Sequence, residues 1–141
     1  MKNRSTTIII TDDDDDDKIL MQEALLVNGV KKEDVILASD GDELLAILKN
    51  HTKSPCLVFL DLNMPRKGGR ETLAEIKSNL LLKHIPVIIF STSSSYEDII
   101  STYKSGSNTY FIKPDYFQEL VNMIGVIKAY WFDKASIANH M

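Results

Sequence analysis

Five polar residues close four short apolar runs: Asp12 and Asp13 after TIIIT, Asp61 after LVFL, Ser91 after VIIF, and Lys113 after YFI, with Pro114 directly behind it. If these ends converge, three carboxylates meet in one crevice. Carboxylates so placed repel one another, and burying them uncompensated is costly, so a hard divalent cation is their natural partner. Mg2+ suits the donor set, because it takes oxygen from a few carboxylates, keeps several waters and leaves positions for a substrate phosphate. A lysine and a hydroxyl facing the same point complete a site for phosphoryl transfer, in which negative charge spreads over the equatorial oxygens. Asp61 is then the candidate nucleophile.

For those residues to meet, the runs must be neighbouring strands. Thr7 to Thr11, Val35 to Ala38, Leu57 to Leu60, Val87 to Phe90 and Tyr110 to Ile112 alternate with stretches of helical periodicity, which predicts βαβ units and a parallel sheet. The runs are continuously apolar, as in strands covered by helices on both faces. Helices are predicted from about Lys18 to Asn28, with Asp16 or Asp17 as cap and Gly29 past its end, from Asp42 to Asn50 behind Asp40, and from Arg70 to Leu80. A fourth has Ser94 and Glu97 at capping-box spacing and closes at Gly106; a fifth begins near Tyr116 and carries Phe117, Leu120, Val121, Ile124 and Ile127 on one face. The expected fold is α/β: a flavodoxin-like, doubly wound (βα)5 domain with a five-stranded parallel sheet in the order 2-1-3-4-5. Its ligand site lies beyond the carboxyl ends of the strands.

The 141 residues fit one domain, 1–141, with a core of about 7–132 and short tails. Net charge is −4, but six of the 20 acids form the run Asp12 to Asp17, so the other fourteen face 16 Lys and Arg. No basic stripe with interleaved aromatics is present, which argues against direct nucleic-acid binding. No apolar run approaches the roughly 20 residues of a membrane span. The start MKNRSTTIII lacks the apolar core of a secretory signal, so the expected compartment is cytoplasmic. Cys56 stands alone beside an apolar run and is read as a buried residue without a role; His51, His84 and His140 have no metal-ligand spacing and are read as surface residues. The aspartate run imitates a Ca2+ loop, with Asp12, Asp14 and Asp16 alternating ahead of Glu23, but Asp17 stands where that loop needs glycine. Asp14 to Asp17 are read as loop and helix cap, and Trp131 and Phe132 as packing on the body.

The stretches IIITDDD, VFLDLNMP, IIFSTS and YFIKP, with MPRKGG after Asp61 matching a Pro-x-x-x-Gly helix entry, resemble the signature segments of response-regulator receiver domains over about Thr7 to Tyr130. Each segment alone is weak, whereas all of them in order are specific. The resemblance implies a stand-alone signalling receiver rather than an enzyme acting on other substrates. A sensor histidine kinase or histidine phosphotransfer protein would donate a phosphoryl group to Asp61. Asp13 would bind Mg2+ directly, Asp12 through water, and Asn63 through its backbone carbonyl. Ser91 and Lys113 would bond phosphoryl oxygens, Ser91 and Tyr110 would form the switch, and the Lys113 to Pro114 bond would be cis. Output would be protein contact, as a monomer or a phosphorylation-dependent dimer, through the fourth helix, fifth strand and fifth helix. Gly68 replaces the Asp many members carry there, without loss of chemistry, and Thr92 is larger than the usual Ala or Gly, which bears on phosphate lifetime.

Three other readings fit less well. A phosphatase of the haloacid dehalogenase type needs Asp-x-Asp after the first strand. A flavin carrier would meet six aspartates where it needs a phosphate cradle, and a receiver that only binds protein would not keep every site residue.

Overall fold

The computed structural model describes residues 6–50 and 54–139, so His51 and His140 lie outside the described residues. Thr7–Thr11 (β1), Val35–Ala38 (β2), Cys56–Leu60 (β3), Val87–Ser91 (β4) and Thr109–Ile112 (β5) form one sheet in the order β2-β1-β3-β4-β5. Every pairing is parallel. The helices Asp15–Val27 (α1), Gly41–Asn50 (α2), Gly69–Ser78 (α3), Tyr96–Lys104 (α4) and Phe117–Lys128 (α5) alternate with the strands, and a π-helical segment, Ala129–Lys134, extends the last of them. This is the flavodoxin-like arrangement the sequence predicts.

Side chains alternate across the strands, so β1 feeds two cores at once. Ile8 and Ile10 meet Met21, Ala24 and Leu25 of α1 and Ile124 and Ile127 of α5, whereas Ile9 meets Leu44, Leu45 and Leu48 of α2 and Leu73 and Ile76 of α3. Burying each Leu or Ile contributes about 1.5–3 kcal/mol, and central β1, β3 and β4 are buried throughout. Edge strand β2 is only partly covered. Trp131 and Phe132 pack on the α1/α5 core as expected, but Phe117, at the start of α5, stays 40% exposed.

Element ends differ from the sequence reading in instructive ways. Helix α1 begins at Asp15 rather than Lys18, because Asp14 caps it, accepting the Asp17 N–H at 3.1 Å; neither Asp16 nor Asp17 is the cap. Carboxylates are stabilised in a helical first turn, so the helix extends back into the aspartate run. Helix α4 is capped by Ser95, which accepts the Asp98 N–H at 3.4 Å, instead of by the Ser94 and Glu97 pair. The Ser93 hydroxyl causes the shift: it accepts the Ser95 N–H at 3.2 Å and donates to Asp98 at 2.5 Å. Helix α3 ends at Ser78, short of Leu80, where Asn79 turns extended and its side chain accepts the Leu81 N–H at 2.8 Å. Helices α1 and α4 stop where expected, at Gly29 (φ 90°) and Gly106 (φ 107°). The described residues contain no cis peptide bond, so the Lys113 to Pro114 bond is trans, contrary to the family pattern. Trans is the lower-energy isomer of an X-Pro bond by about 0.5–1 kcal/mol.

Candidate functional site

A parallel sheet points every strand the same way, so the carboxyl ends of β1, β3, β4 and β5 open on one rim. Backbone hydrogen bonds carry the ladder one step past the strands: Asp12 N–H to Ala38 O (3.1 Å), Asp61 N–H to Thr11 O (3.0 Å) and Lys113 N–H to Ser91 O (2.8 Å). Each site residue therefore has a fixed backbone before its side chain does anything.

Asp12, Asp13 and Asp61 each offer a carboxylate oxygen within 4.8 Å of the others. Asp12 and Asp61 are buried and Asp13 is exposed, which leaves the cluster open on one side. Three hard oxygens at this spacing fit a divalent cation such as Mg2+. The Lys113 ammonium donates to Asp12 at 2.8 Å and to Asp17 at 3.0 Å, and lies 3.5 Å from Asp61. Burial pushes the Asp61 carboxyl up, Lys113 pulls it down, and Asp12 and Asp13 push it up again, for a net value of about 6. Burial also disfavours the Lys113 charge, but Asp12, Asp61 and Asp17 together outweigh it, and the ammonium is held above its ordinary range. Lys113 sits nearer Asp12 and Asp17 than Asp61, so its charge only partly offsets the burial of the Asp61 carboxylate.

The loop after β3 is clamped from below. Gly69 donates its N–H to Leu62 O at 3.0 Å, and Thr72 donates its hydroxyl to Gly68 O at 2.7 Å. A Cβ on Gly69 would lie 2.2 Å from the Asp61 carbonyl oxygen, so only glycine lets α3 start this close to the site. Asn63 stands exposed in that loop.

Ser91 is fully buried at the end of β4, and its hydroxyl accepts the Ser93 N–H at 3.1 Å. Half-buried Tyr110 donates its hydroxyl to the Ser93 carbonyl at 2.8 Å while its ring packs on the α2/α3 core. The two residues expected to switch thus hold the same loop residue. Asp98, bonded to the Ser93 hydroxyl, also pairs with Arg70 of α3. Thr92 is exposed beside them.

Asp17 is the site residue that sequence reasoning assigned only to a cap. A helix-phase signal could have found it, because it lies four residues before buried Met21 and so shares the inward face. Asp15 instead lies 3.2 Å from buried Lys18, which donates to Ser39 at 2.7 Å. A small cavity beneath Lys113 is lined by Asp17, Leu20, Met21, Phe59, Phe90 and Leu120, among others. Cys56 lies outside the site, buried, with its thiol pushed up to about 11 by burial. His84 is half-buried rather than a surface residue.

The sequence profile of the response regulator receiver domain matches residues 8–125. Response regulator Rcp1 of Synechocystis sp. is 36% identical over 109 residues, covering 74% of this chain and 74% of the relative. The solved Mn(2+)-bound form of response regulator Rcp1 superposes with a TM-score of 0.81 at 33% identity, covering 95% of this chain and 99% of that one. The phosphorylated cyanobacterial phytochrome response regulator RcpA gives 0.85 at 35% identity, covering 96% and 100%.

Proposed function

The chain belongs to the response regulator receiver family, and from that premise we propose that it is a cytoplasmic signalling protein that accepts a phosphoryl group on Asp61. The donor would be a phosphohistidine of a sensor kinase or phosphotransfer protein. The observation that carries this reading is the acidic triad of Asp12, Asp13 and Asp61 with the Lys113 ammonium 3.5 Å from the central carboxylate. Above a pH of about 6 Asp61 is ionised and nucleophilic. Its oxygen forms the new P–O bond as the P–N bond to the donor imidazole breaks, and the electron pair leaves on the imidazole nitrogen. Lys113 supplies positive charge beside the incoming oxygens. Ser91 turns its hydroxyl from the Ser93 N–H to a phosphoryl oxygen, which frees the loop that Tyr110 also holds. Asp12, Asp13, Asp61 and the Asn63 carbonyl would hold Mg2+, which would neutralise phosphoryl charge when bound.

The acyl phosphate then shifts a conformational equilibrium read by a partner protein. The chemistry on the protein stops at its own phosphorylation and hydrolysis. The test is intact-mass measurement after treatment with acetyl phosphate and Mg2+: one added phosphoryl group in the parent and none in Asp61→Asn. Equal labelling of both would remove Asp61 as the acceptor.

A further inference from the structure

Lys113 faces three carboxylates, and one of them, Asp17, has no part in the reaction just described. We propose that Asp17 is a positioning residue that holds the Lys113 ammonium toward α1 and thereby weakens its pairing with a phosphoryl group on Asp61. The inference rests on Asp61 being the acceptor.

The distances set the starting point. Lys113 donates to Asp12 at 2.8 Å and to Asp17 at 3.0 Å, whereas Asp61 lies farther away at 3.5 Å. An ammonium has few donors, all short-ranged and directional, so one engaged by Asp17 is withheld from a phosphoryl oxygen. Asp17 cannot follow the ammonium across the crevice. Its N–H is tied to the Asp14 cap at 3.1 Å, and α1 is anchored through Met21, Ala24 and Leu25 in the core. Within the stretch Asp14 to Asp17 the arrangement is specific: Asp14, Asp15 and Asp16 are exposed, and only Asp17 turns in to line the cavity under Lys113.

When Asp61 carries a phosphoryl group, Lys113 must exchange Asp17 for that group. Because the Asp17 side chain is 41% exposed, solvent screens the pair and its effect is modest, about two- to fivefold in affinity for a phosphoryl mimic. Asp17 therefore trims the lifetime and occupancy of the phosphorylated state without touching the phosphoryl group.

The experiment titrates beryllofluoride into the full chain at saturating Mg2+, for the parent, Asp17→Asn, Asp17→Glu and Asp15→Asn. Asp17→Asn should bind about two- to fivefold more tightly, as expected for removing a partly screened ion pair. Asp17→Glu, which restores the carboxylate, should return close to the parent. Asp15→Asn should match the parent, which separates the specific contact from a general loss of negative charge. A residue that merely packs in the first turn would weaken binding or leave it unchanged. Unchanged affinity in Asp17→Asn, or equal tightening in Asp15→Asn, would overturn the inference while leaving the acceptor assignment intact. A parent that binds no beryllofluoride would overturn both.

Discussion

Replacing Asp61 by Asn should stabilise the metal-free protein at neutral pH, although it deletes the proposed phosphoacceptor. In the folded chain burial lifts this carboxyl from its ordinary 3.8 to about 6. A group whose folded value is raised contributes stability that is complete below the unfolded value and is lost as pH rises through the folded one. Between pH 4 and pH 7.5 the parent therefore loses a contribution of about 3 kcal/mol from this one side chain, at roughly 1.4 kcal/mol per pH unit. Asn keeps the shape and does not titrate. Lys113 retains Asp12 and Asp17 as partners, so the substitution leaves no unpaired ammonium. The variant should be more stable by about 1–3 kcal/mol at pH 7.5 in chelator, a rise in Tm of several degrees, with the gap closing by pH 4. Mg2+ should narrow the gap at pH 7.5, since a ligand stabilises the form that binds it better. Urea and thermal unfolding followed by circular dichroism from pH 4 to pH 8 would measure this. A variant no more stable than the parent at pH 7.5, or a gap that does not change with pH, would refute the account of Asp61 as a buried, under-neutralised carboxylate.

Other outcomes follow from the same geometry. Asp13→Ala removes an oxygen from the triad and should weaken Mg2+ binding and phosphorylation together, whereas Asp15→Ala should leave both nearly unchanged; titration of Mg2+ into each variant distinguishes them. Gly69→Ala forces a methyl group against the Asp61 carbonyl and should destabilise the chain by about 1–3 kcal/mol in urea unfolding while slowing acetyl phosphate labelling. Ser91→Ala should still take phosphate on Asp61 but transmit less of it, which NMR shift changes in α4 on adding beryllofluoride would show; identical changes in parent and variant would make Ser91 a bystander.

Much of this was legible in the residues because strand ends are legible. A run such as VFLD fixes both the strand and the residue that leaves it, and parallel pairing then brings Asp12, Asp61 and Lys113 together. What the sequence did not disclose depends on phase and competition. Six consecutive aspartates carry no pattern of their own, so the cap at Asp14 and the inward turn of Asp17 become visible only when the helix is traced back from Met21, Ala24 and Leu25. Helix α4 begins one residue late for a similar reason: five neighbouring Ser and Thr hydroxyls crowd the entry to the helix, and the Ser93 contact with Asp98 decides among them. The trans bond before Pro114 was hidden too, since an X-Pro pair in a sequence carries no isomer label.

The Lys113 contact with Asp12 spans 101 positions of the chain, and the Asp61 N–H reaches back to Thr11. No single βα unit holds the whole set of Asp12, Asp13, Asp61, Ser91 and Lys113, so the site exists only once the central strands have docked side by side. Contacts of such separation are closed late and slowly. A nascent or partly unravelled chain therefore carries scattered aspartates and no assembled triad. Assembly of the triad doubles as a certificate that the central sheet has formed.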